Sequence, residues 1–78
     1  MGRPTLYVRR PEDIGPAIKD LRIAHDVSQT DVAEAVGMHQ SHMGTYERSR
    51  VIPNSRRLLE ILASHGYVLA FVPGEMAT

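Results

Sequence analysis

The chain has 78 residues, nine Lys plus Arg against nine Asp plus Glu, 42% hydrophobic residues and no cysteine. That length holds one domain with a small core, so packing alone leaves it marginal and a second copy is a natural source of further burial. The missing cysteines exclude a disulfide frame and a thiolate zinc site, and no run reaches the ~20 apolar residues of a membrane span.

The N-terminus has basic residues but no apolar stretch of the signal-peptide kind, so the expected location is the cytoplasm. The zero net charge hides a segregated pattern. Residues 1–10 carry +3 (Arg3, Arg9, Arg10), 11–36 carry −4, 37–57 carry +3 (Arg48, Arg50, Arg56 and Arg57 against Glu47), and 58–78 carry −2. Positive charge suited to phosphates therefore collects at the N-terminal arm and after residue 47.

In chain order, 1–10 is read as an arm or short strand, because Leu6 and Val8 alternate with Tyr7 and Arg9 until Pro11. Residues 11–66 are read as a helical domain. Pro11 suits a first helical position, with Glu12 and Asp13 in the first turn, and Ile14, Ile18, Leu21 and Val27 keep roughly helical spacing. Pro16 leaves two alternatives open: a kinked helix, or a turn over 11–15 before a helix that restarts at Pro16.

Ser28 is placed to cap a second helix whose apolar stripe is Val32, Ala33 and Val36, and Gly37 supplies the left-handed residue that ends it. Met38 can plug the turn. The third helix, about 39–48, sets Met43 and Tyr46 on an apolar face, read as core. The opposite face is Gln40, Ser41, Gly44 and Thr45. An ordinary exposed face would be filled with Glu, Lys and Arg, whereas these short or amide-bearing side chains suit close approach to base edges. Two short helices joined at Gly37 present one helix to a DNA major groove.

Asn54 or Ser55 caps a fourth helix with Leu58, Leu59, Leu62 and Ala63 expected inward and Gly66 at its end. The six apolar residues Tyr67 to Val72, closed by Pro73, are read as a strand buried on both faces (67–73), and 74–78 as a tail. Such a strand needs a ladder partner. The 5–10 segment is one candidate; the same strand of a second molecule is favoured, with Tyr67, Val68, Leu69 and Phe71 as dimer contacts.

Catalysis and metal binding find no support. His39 and His42 stand three apart on a helix without a third ligand at suitable spacing, and there is no phosphate loop, nucleophile elbow or paired inward carboxylate. No enzyme activity, metal or cofactor is expected.

Residues from about Pro11 to Phe71 resemble the helix-turn-helix family of Cro and phage lambda repressor. The resemblance rests on Arg22, Ser28-Gln29, Ala33, the Gly37–Gly44 run and Glu47-Arg48. A single helix after the motif followed by a terminal strand is similar to the HipB-type antitoxins, whose strands pair across a dimer. The implied fold is mainly α, a lambda-repressor-like bundle of about four helices with a C-terminal strand pairing across a dimer.

The resemblance also implies residue roles. Gln40 falls at the main base-reading position, where an amide bonds adenine N6 and N7 together. Ser41, Gly44 and Thr45 match further groove-facing positions, and His39 departs from the usual Ser, Thr or Lys. Gln29 matches a phosphate contact that also braces the reading glutamine, and Arg48, Arg50 and Arg56 match backbone clamps. Arg22 and Glu47 match a partly buried structural salt bridge. The implied function is a dimeric phage or bacterial repressor on a near-palindromic operator, with double-stranded DNA as partner. The alternative is an antitoxin that sequesters a protein toxin and autoregulates its operon.

Overall fold

The computed structural model describes residues 4–76. Arg3 and the rest of the first three residues, and the last two of the expected tail, lie outside that range. The described residues form four α-helices: α1 (Ile14–Ala24), α2 (Gln29–Val36), α3 (Gln40–Glu47) and α4 (Ser55–Ser64), with short 3-10 turns at Pro11–Asp13 and Gly74–Met76.

The entry to α1 resolves the Pro16 alternatives. Pro11 opens the 3-10 turn, the Asp13 carboxylate accepts the Arg10 amide at 3.2 Å, and the α-helix begins at Ile14. Pro16 thus lies in the first helical turn, where its fixed φ suits the helix and its missing amide leaves only the carbonyl ahead of the helix unserved. The Glu12 carbonyl, which Pro16 cannot serve, accepts the Ser49 hydroxyl at 2.8 Å from beyond α3. This bond ties the front of α1 to the end of α3. Gly15 is buried at the same junction, and a methyl group there would collide with the Tyr46 carbonyl oxygen.

Ile18 and Leu21 of α1, Val32 and Ala33 of α2, Met43 of α3 and Ile61 of α4 are buried. Ile14, Val27, Val36, Met38, Tyr46 and Leu58 pack around the centre of this core. Each of α1 to α4 contributes, so no helix can leave without exposing apolar surface.

Three expectations need correction. First, the inward face of α4 is Leu58, Ile61, Leu62 and His65, while Leu59 and Ala63 are exposed. With this rotation the Arg57 guanidinium donates to the Val36 carbonyl at 2.8 Å, binding the end of α2, and Ile61, one turn on, lies in the core. Second, of the two readings of the N-terminal segment, arm or short strand, the described residues form an extended arm and no strand. Third, residues 67–73 form no strand and are not buried on both faces: Val68 is 84% and Phe71 95% exposed. Both segments are extended chain in a single protomer that offers neither a completed ladder. They touch where the Tyr67 hydroxyl donates to the Pro4 carbonyl at 2.7 Å.

Candidate nucleic-acid interface

α2 and α3 are held by local chemistry at both ends. The Ser28 hydroxyl accepts the Asp31 amide at 3.0 Å while the Asp31 carboxylate accepts the Ser28 amide at 3.4 Å, closing a reciprocal cap that fixes Gln29 as the first residue of α2. α2 ends at Gly37, whose φ of 70° is left-handed and suits a residue without a Cβ. Two residues later His39 caps α3, its ring Nδ1 accepting the Ser41 amide at 3.2 Å and lying 2.8 Å from the Ser41 hydroxyl. Accepting at Nδ1 places the ring proton on Nε2 in the neutral form.

Beneath the exposed face, Arg22 of α1 donates through Nε and Nη2 to the two oxygens of Glu47 at 2.7 and 3.0 Å. The side chains are 15% and 3% exposed. The hydrogen bond that Arg22 donates to Glu47, opposed by burial, raises the Arg22 pKa above the ordinary arginine value, so the guanidinium stays charged. Arg22 also donates to the Val27 carbonyl at 3.1 Å, bracing the loop into α2.

From this pair a chain of hydrogen bonds runs outward. Gln29 Nε2 donates to Glu47 Oε1 at 3.0 Å, and Gln40 Nε2 donates to Gln29 Oε1 at 2.8 Å. A carboxylate only accepts, so Gln29 must turn its NH2 inward and its carbonyl to Gln40, and Gln40 must turn its own NH2 to Gln29. The ion pair therefore fixes the polarity of both amides. Gln40 retains one N–H and its carbonyl oxygen, the donor and acceptor that adenine N7 and N6 require; guanine offers two acceptors there and matches only the N–H.

The other expected site residues divide. His39 and Ser41 are exposed and bonded to each other, and Thr45 turns its hydroxyl back to the Ser41 carbonyl at 2.9 Å, committing its polar atom within the helix. Gly44 is the exception to the groove-facing set: it is buried, and a Cβ there would lie 3.1 Å from Arg48 Nη1 and 3.5 Å from Gln29 Oε1. Its missing side chain makes room for the Gln29 amide and the Arg48 guanidinium. Arg48 and Arg50 are exposed just after α3, and Arg56 is exposed at the start of α4 with an ion pair to Glu60 at 3.7 Å. That surface pair is too solvated to hold Arg56.

Sequence reasoning passed over three contributors. Arg57 looked like one more basic residue, and only the facing end of α2 reveals its task. Ser49, with φ of 58°, carries no local signal for its bond to Glu12. The capping role of His39 was open to inference from its place immediately before the helix.

A family model described as a helix-turn-helix domain matches residues 13–67. Comparison with curated proteins and with solved structures returns no match. The matched span runs from the front of α1 to just past α4 and includes the whole hydrogen-bonded chain from Arg22 to Gln40. The chain belongs to the helix-turn-helix domain family, of the Cro-like type, and is a DNA-binding protein of that class.

Proposed function

We propose that the protein is a sequence-specific transcriptional regulator, a dimeric repressor that sets two copies of α3 in successive major grooves about 34 Å apart on a near-palindromic operator. The observation that carries this reading is the run of bonds ending at Gln40, which directs an amide of fixed polarity outward from a buried ion pair. His39, Ser41 and Thr45 flank it as further base or sugar contacts. Arg48, Arg50 and Arg56 neutralise phosphates and Gln29 contacts one through its amide, setting register without reading sequence. Tyr67, Val68, Leu69 and Phe71 join two protomers, which supplies the second reading helix and covers apolar side chains that one chain leaves in water.

The test is to compare Gln40→Ala with the parent on the preferred duplex and on unrelated duplex. A loss of about 1–3 kcal/mol on the preferred site with unrelated binding unchanged supports the reading role. Equal losses on both remove Gln40 from it. An equimolar protein partner co-purifying from the native host would move the protein to the antitoxin reading.

A further inference from the structure

A second side of the molecule lies away from the helix-turn-helix face. Residues 4–9 and 66–72 line an open groove of about 820 Å³, floored by Ile14, Ile18 and Leu21 of α1 and Leu58 and Leu62 of α4. Among the described residues, none from α2 or α3 lines it, so whatever fills it leaves the reading helix free.

Both walls are unfinished. Beyond the Tyr67 amide bond to Leu62 and the Tyr67 hydroxyl bond to Pro4, no main-chain hydrogen bond joins 5–9 to 68–72 among the described residues. Tyr7, Val8, Leu69 and Val72 are about half exposed, and Val68 and Phe71 are almost wholly so. Extended chain with free amides and carbonyls is a template for an added strand.

We propose that residues 67–72 of a second copy fill this groove, each protomer laying its segment between the partner's arm (residues 4–9) and the partner's α1 and α4. The chemistry selects that occupant. The stretch Gly66 to Gly74 has no charged residue, matching the apolar floor, and each molecule carries one empty groove and one uncovered segment. A two-fold exchange satisfies both at once, since an isologous contact uses the same surfaces from each side. A foreign ligand in the groove would leave the outer faces of Val68 and Phe71 in water. Pro4 and Pro11 bracket the arm and Pro73 closes the segment, limiting the ladder to 5–10 and 67–72. This arrangement rests on the dimer reading above and adds to it that the arm of one chain contacts the terminal segment of the other.

The absence of cysteine among the 78 residues makes the test direct. Val8→Cys and Leu69→Cys proteins of different mass, each checked by circular dichroism for helical content and by light scattering for size, are mixed and mildly oxidised. A disulfide forms only where Cα atoms come within about 7 Å. The exchange gives the mixed Val8→Cys/Leu69→Cys species as the main cross-linked product. A dimer by scattering that yields only Leu69→Cys pairs overturns the exchange while leaving the dimer intact. A monomer at every concentration that still binds DNA overturns both. If either variant fails to fold, Tyr7→Cys with Val68→Cys makes the same measurement one residue along each segment.

Discussion

The body from Ile14 to Ser64 and the two extended ends obey the same chemistry with opposite results. In the body each of α2 to α4 has a side-chain N-cap (Ser28, His39 and Asn54), and the carbonyls freed at Glu12 and Val36 find Ser49 and Arg57. Between residues 5–9 and 68–72 no main-chain hydrogen bond forms, and Tyr7, Val8, Val68, Leu69, Phe71 and Val72 are exposed. A region can be complete within one chain when its contacts are nearby helices; an extended segment is complete only beside another strand. The body accordingly carries the proposed reading surface, and the ends carry the proposed contact with a second copy.

The sharpest way to break the body is at its buried ion pair. Glu47→Ala leaves Arg22 without its carboxylate and should cost about 3–5 kcal/mol in denaturant unfolding. The paired change Arg22→Met with Glu47→Leu should recover most of that stability while leaving Gln29 without an acceptor, so discrimination by Gln40 stays lost; recovery of both would dissociate the ion pair from reading. Because the Arg22 pKa is raised, its share of stability is fully present below the ordinary arginine value and fades only as pH rises through the higher folded value. Unfolding between pH 6 and 9 should therefore show no titration traceable to Arg22, checked by comparing parent and double variant over about that range.

Next in size is Gly15→Ala, which drives a methyl group into the Tyr46 carbonyl and should cost about 1–3 kcal/mol, read as a lowered denaturation midpoint. Ser28→Ala removes a reciprocal cap and should cost about 1 kcal/mol by the same measurement. The ends should behave differently. Leu69→Lys with Phe71→Lys should move unfolding of the isolated protomer by less than about 0.5 kcal/mol, since both residues are exposed, yet convert dimer to monomer in light scattering. It should also weaken binding to a full operator far more than to a half-site. A dimer that survives those two lysines would place the contact elsewhere.

The helical part was legible in the sequence because its signals are local. Ser28 followed by Asp31, Gly37 with φ of 70°, and Asn54 before α4 each act within a few residues, and each stands where its type suggests. The rotation of α4 was not legible. Leu58, Leu59, Leu62 and Ala63 make as good a stripe as Leu58, Ile61, Leu62 and His65, and the observed choice is the one in which Arg57 reaches across to α2. The burial of Gly44 was not legible for a related reason: its spacing along α3 suggests the outer face, but the Gln29 amide and the Arg48 guanidinium occupy the space beside it. The terminal strand failed within one chain because six apolar residues identify a segment that needs burial without identifying what buries it. The amide polarity along Gln29 and Gln40 lay beyond the sequence altogether, since it follows from the acceptor-only Glu47 carboxylate lying within reach of the Gln29 amide.

The central claim is that α3 reads bases through Gln40. Selection of bound duplexes from a random pool at near-physiological salt, run in parallel with the parent protein and Gln40→Ala, tests it most directly. The account predicts a two-fold symmetric motif with half-sites one helical turn apart for the parent, and loss of preference for adenine at one symmetric position for the variant. A parent that folds but enriches no motif, or a variant that enriches the same motif unchanged, would contradict it.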